Sequence, residues 1–116
     1  MANYQNVTPL QIAQAALTTS YATLYTAPTN ATTPTRTYIK QIDVCNTTSG
    51  ALTFNLHIVP VTFSAGTQNA IFYGQTVAAN STFSYSGVQV MLTLSFISAK
   101  ASNTGLTITI SGGEAV

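Results

Sequence analysis

The side chains able to do chemistry are few: one histidine (His57), one cysteine (Cys45), two acids (Asp43, Glu114) and three certain cations (Arg36, Lys40, Lys100) in 116 residues. A His57–Asp43 pair could orient a general base, with Asn55 beside it. Catalysis would also need a positioned nucleophile or acid and a group that stabilises developing charge, and no residue pattern supplies either. His57 therefore reads as a surface or interface histidine. Cys45 precedes a turn, lacks a basic neighbour in sequence to favour its thiolate, and reads as a packing residue. One histidine and one cysteine fall short of a structural zinc set, and the glycines are scattered at turns rather than gathered into a phosphate loop. The expectation is no enzyme, no metal and no cofactor. Tyr21, Tyr25, Tyr38, Tyr73 and Tyr85 could line a carbohydrate-binding platform. The preferred reading is that each caps a core edge and hydrogen-bonds outward.

The element that must carry His57 is residues 51–60, ALTFNLHIVP, where Leu52, Phe54, Leu56 and Ile58 alternate with Thr53, Asn55 and His57. Alternation at period two describes a half-buried strand, because successive side chains leave an extended backbone on opposite sides. Residues 37–46 form a second β-rich run, and NTTSG between the two has the residues that reverse a chain. The pair is expected to form a hairpin with Val44 opposite Phe54, Ile42 opposite Leu56 and Lys40 opposite Ile58. Gln41, Asp43, Cys45, Asn55 and His57 would then share the outer face.

Taken in order, residues 1–20 form an N-terminal arm: Leu10, Ile12, Ala13, Ala16 and Leu17 could line one side of a short helix, but an extended arm laid along a neighbouring surface, or an edge strand, is preferred. Residues 21–27 read as a strand, and Pro28 and Pro34 interrupt pairing in the loop that follows. Residues 61–68 read as a loop or short edge strand anchored by Phe63, and 70–77 as a strand with a bend or bulge at Gly74. A short strand covers 82–85. The longest β-run is 88–97, with Val88, Val90, Leu92, Leu94 and Phe96 inward and Met91 and Ile97 outward. A last strand covers 105–111, and 112–116 form a C-terminal tail. With about seven or eight short strands and no repeat, the expected fold is all-β, an antiparallel β-sandwich of jelly-roll-like type over residues 21–111, with an open barrel as the competitor. Leu10, Ile12, Leu17, Met91 and Ile97 are the suspected interface residues.

Only 4% of residues are charged, against about 25% in an ordinary soluble domain. A mean hydropathy of +0.28 and recurrent apolar periodicity exclude disorder as the cause. Such a surface costs little to desolvate, so it suits stable contact with other subunits, a homotrimer being the first expectation. A net charge of +1 is too little to neutralise a run of phosphates, which argues against nucleic acid. No run has the length of a membrane helix and no charged leader precedes an apolar stretch, so synthesis in the cytoplasm is expected. A lone cysteine excludes an internal disulfide.

The ordered segments LTTSYATLYTAP (17–28), YIKQIDVCNTTSG (38–50) and LTFNLHIVP (52–60), with AANSTF (78–83) and TITISGGEA (107–115), resemble a recurring group of small tailed-bacteriophage virion proteins. This chain departs from the shorter members in its longer loop at 29–35 and around 89–91, where a turn before the late strand is not evident. The resemblance implies a non-enzymatic β-sandwich component of the virion. A capsid decoration or cement protein bound to the major capsid protein is placed first. The alternatives are a tail, connector or fibre-associated component, or a glycan-binding module.

Overall fold

The computed structural model describes residues 7–28 and 36–115. Expectations for residues 1–6, for the loop at 29–35 and for Val116 lie outside the described residues.

The described residues form eight strands: β1 Val7–Ala16, β2 Ala22–Thr26, β3 Arg36–Asn46, β4 Leu52–Val59, β5 Ala70–Val77, β6 Ser81–Met91, β7 Phe96–Ala101 and β8 Leu106–Ala115, with a short 3₁₀ turn at Thr67–Asn69. They form two four-stranded antiparallel sheets, ordered β1-β8-β3-β6 and β2-β7-β4-β5. First pairs with last, second with seventh, third with sixth and fourth with fifth. The chain is thus one long antiparallel ribbon rolled on itself, the strand order of a jelly-roll sandwich. The all-β sandwich expected from alternation is the fold observed.

Alternation identified Ile42, Val44, Phe54 and Leu56 as inward positions but not their neighbours. β3 and β4 do not form a hairpin: β3 lies between β8 and β6, and β4 between β7 and β5, in the opposite sheet. Ile42, Val44, Phe54 and Leu56 are all buried in one core, brought together from the two layers rather than side by side in one. Asn46 organises the crossing. Its buried side chain donates to the carbonyls of Gly50 (2.9 Å) and Val77 (3.1 Å) and accepts from the Thr48 amide (2.9 Å) and hydroxyl (2.7 Å). Satisfying these backbone groups lets the 47–51 segment pass between layers instead of closing a tight turn.

The 88–97 run is not one strand. β6 ends at Met91, the chain turns at residues 92–95 with Leu94 at φ +63°, and β7 begins at Phe96. The turn is pinned to the end of β2 by Leu94 N–H to Ala27 O (3.0 Å) and Ala27 N–H to Ser95 O (2.8 Å). β6 turns Phe83, Tyr85, Gln89 and Met91 inward, the same parity on both sides of a bulge where Gly87 and Val88 oppose Lys40 alone. The expected facing is therefore inverted. Met91 and Ile97, suspected at an interface, are buried in the core, while Val88, Val90, Leu92 and Leu94 are 55, 48, 58 and 43% exposed.

The expected arm is part of the sandwich. β1 is an edge strand along β8, Ile12, Ala13 and Leu17 are buried, and Leu10 packs against the core. Leu10, Ile12 and Leu17 are thereby spent on folding. Residues 112–115 are likewise no tail but the second half of β8, between β1 and β3. Gly112 permits this: a Cβ there would collide with the carbonyl oxygen of Tyr38. Phe63 is exposed rather than an anchor, whereas Gly74, at φ +65°, sits in the bulge expected of it.

The two layers are tied at one side by aromatic rings. Phe54 and Phe72 from one sheet meet Phe83 and Tyr85 from the other, with centroid separations of 5.7 Å for Phe54–Phe83, 5.2 Å for Phe72–Phe83 and 5.6 Å for Phe72–Tyr85. The tilted and edge-on arrangements favour these pairs beyond their buried area.

Candidate functional site

His57 lies on the outward side of β4, as alternation predicts, yet it is wholly buried. The segment after β4 folds back over it. Asn69, at the end of the 3₁₀ turn, places Oδ1 2.8 Å from His57 Nδ1 and accepts the Gly66 amide at 3.1 Å, while its Nδ2 donates to Ser64 O at 2.9 Å. Because Oδ1 is an acceptor, Nδ1 carries the proton and Nε2 is the accepting nitrogen. The Tyr21 hydroxyl, 2.9 Å from Nε2, donates to it and accepts from Asn55 Nδ2 at 3.1 Å. Asn55 Oδ1 takes the Gly74 amide at 2.7 Å. One oriented chain of hydrogen bonds thus runs from the β5 bulge through Asn55, Tyr21, His57 and Asn69 to the loop carbonyl of Ser64.

Two aromatic rings flank the histidine. Tyr21 meets it edge-on at 5.1 Å and Tyr73 at 6.3 Å, and these tyrosines remain 40 and 65% exposed. The Lys100 ammonium stands 4.9 Å from the Tyr21 ring centroid, a cation–π contact. Beside it, a cleft of about 290 Å³ is lined by Thr19, Thr53, Phe54, Asn55, Lys100, Ala101 and Ser102. Its wall is set by β7 register: Lys100 lies opposite Asn55 and Ala101 opposite Phe54. The Thr53 amide donates to Ser102 Oγ (3.0 Å) and the Ser102 amide to Thr53 O (2.9 Å).

A second polar cluster joins the sheets at the other end. Tyr25 of β2 donates to Glu114 Oε2 of β8 at 2.6 Å and lies 3.2 Å from Thr37 Oγ1 of β3. Burial, then the hydrogen bond to Glu114, pushes the Tyr25 phenol up to about 12, so it stays protonated across the physiological range.

The expected His57–Asp43 neighbourhood does not form. Asp43 belongs to β3 in the other sheet, where it accepts from Gln41 Nε2 at 3.2 Å. Cys45, also on β3, is half-buried between Thr82 and Thr107. Both His57 nitrogens are committed to side-chain partners, which leaves the ring as a brace that orients Tyr21 and holds the 60–69 loop. Among the described residues, no group of three or more His, Cys, Asp or Glu side chains could hold a metal, and no helix is long and apolar enough to cross a membrane. Of the tyrosines, the fold sets Tyr21 and Tyr73 each against His57, sends Tyr25 to the Glu114 clamp and sets Tyr85 against Phe72. Asn69 and Lys100 were not singled out as site residues. They join His57 and Tyr21 only through the loop fold and the β4–β7 register, and no local sequence pattern marks either.

No protein-family model matches the chain, and no curated protein sequence does. The fold has neighbours among solved structures. A chain from the structure of infectious bursal disease virus, Gx strain, superposes with a TM-score of 0.55 at 12% identity, over 96% of this chain and 32% of that one. This chain therefore spans about a third of that neighbour's length. A chain from Bacillus endospore appendages, a family of disulfide-linked pili, gives a TM-score of 0.48 at 11% identity, over 100% of this chain and 95% of that one. At 12% identity the likeness to the viral chain is one of fold.

Proposed function

We propose that this chain is a non-enzymatic structural subunit of a virus particle, and specifically a capsid decoration or cement protein of a tailed bacteriophage, made in the host cytoplasm and resident in the virion. The observation that carries this reading is the jelly-roll sandwich with an uncompensated apolar stripe, Val88, Val90, Leu92 and Leu94, along and beyond its edge strand β6. Viral capsid domains are a recurrent use of this architecture, as are lectin domains and cupins, so fold analogy supports the class but not the location. The stripe supports assembly. Edge strands of monomers are commonly guarded by charge or proline; β6 has a bulge but neither of these, and no Asp, Glu, Lys or Arg occurs from Val44 to Ala99.

In this reading the partners are further copies of the chain, in a homotrimer, and the major capsid protein; nucleic acid and membrane are not partners. A tail, connector or fibre-associated position is the second reading, motivated by the bacteriophage resemblance, which is shared between particle locations. Cosedimentation of the purified protein with empty capsids and with isolated tails tests both. Saturable binding to capsids supports the decoration role, binding to tails alone transfers the protein there, and a monomer that binds neither overturns the proposal.

A further inference from the structure

We propose that the cleft beside Tyr21 is a binding site for an acidic saccharide, with the sugar carboxylate on Lys100 and the sugar hydroxyls on Asn55 and Ser102 of the cleft wall. Lys100 has no ion-pair partner among the described residues, its recorded contact being the Tyr21 ring. The side-chain carboxylates, Asp43 and Glu114, belong to the other sheet. An ammonium at the rim of a cleft, uncompensated by the protein, favours an anionic guest.

The cleft also leaves hydrogen-bond donors unspent. Asn55 Oδ1 is taken by Gly74 N–H and one Nδ2 hydrogen by Tyr21, which leaves the other hydrogen to donate. Ser102 Oγ accepts the Thr53 amide and keeps its hydroxyl proton, and Lys100 adds its ammonium protons. The site is therefore rich in donors, which matches a carboxylate and ring oxygens. These groups are also held in place: the buried His57 fixes the Tyr21 hydroxyl, Tyr21 fixes the Asn55 amide group, and the Gly74 amide at the positive-φ bulge holds Asn55 Oδ1. Pre-orientation of this kind lowers the entropy lost on binding. A volume of about 290 Å³ is at the small end of ligand sites, suited to one sugar ring rather than a long chain.

The inference is independent of the particle assignment. It is tested by ¹H–¹⁵N correlation spectra of the full chain titrated with D-glucuronate, D-glucose and inorganic phosphate. Glucuronate is expected to shift the amides of Thr53, Asn55, Gly74 and Lys100 while leaving Val88 and Val90, on the opposite sheet, unmoved. Glucose should bind more weakly. Lys100→Gln should weaken glucuronate binding by about tenfold or more, the worth of one charge-assisted hydrogen bond, and wild-type affinity should fall with added salt. The proposal is overturned if millimolar glucuronate moves none of these amides, if phosphate binds as tightly as glucuronate, or if the Lys100→Gln protein binds unchanged. Should that variant fail to fold, wild-type binding that is indifferent to salt overturns it equally.

Discussion

Individual residues in this protein matter mainly through what they hold. His57 is the clearest case: its environment is polar, satisfied and buried, so its replacement by Leu removes a donor from Asn69 and an acceptor from Tyr21 at once. His57→Leu is expected to lower stability by about 1–3 kcal/mol, read from urea unfolding. Near-wild-type stability would mean that water takes over both bonds without cost. Tyr25 gives a pH signature. Its phenol ionises near 10 when unfolded and near 12 when folded, so above pH 10 the unfolded state binds fewer protons than the native state. Stability assigned to Tyr25 is full below pH 10 and is lost as pH rises through about 12. The difference in denaturation midpoint between wild type and Tyr25→Phe should shrink across that window, and a constant difference would contradict the assignment.

At the scale of elements, β1 and the end of β8 depend on one another. Val7 to Gln11 pair with Ala115 to Ser111, a bulge at Ile12 follows, and Ala13 to Ala16 continue with Ile110 to Thr107. Removing residues 1–16 would leave β8 as an unprotected edge and take Leu10 and Ile12 out of the core. A buried large aliphatic truncated to Ala already costs about 2–5 kcal/mol, against a total of about 5–15 kcal/mol for a domain. The truncated chain is expected to aggregate or to lose its near-UV circular dichroism. A cooperatively unfolding truncated protein would show that β1 is dispensable.

For the whole molecule, the distribution of charge and apolar surface decides behaviour more than any site does. The Val88–Leu94 stripe is exposed in the single chain and contributes little to its core, so Val88→Ser with Leu92→Ser should change folding stability by about 0.5 kcal/mol or less for each site. The same pair should shift light-scattering mass toward monomer and weaken attachment to particles. Unchanged assembly would move the contact to another face.

What the sequence determined by itself was the core-facing side of most strands, the 88–97 run excepted. Leu52 to Ile58 and Leu106 to Ile110 could be read from alternation because strand geometry at period two is local. Gly74 could be read because a glycine inside a strand pattern has few other uses. Strand neighbours were not legible: Ile42, Val44, Phe54 and Leu56 satisfy the same alternation whether paired in a sheet or facing across a core. The break in the 88–97 run was not legible either, because the turn at residues 92–95 depends on hydrogen bonds joining Leu94 and Ser95 to Ala27, far away in sequence. The polar network failed for the same reason. Tyr21, His57, Asn69 and Lys100 are scattered in the chain, and only tertiary structure, by folding the 60–69 loop over β4 and setting β7 beside it, brings their hydrogen-bonding groups and charge to one place.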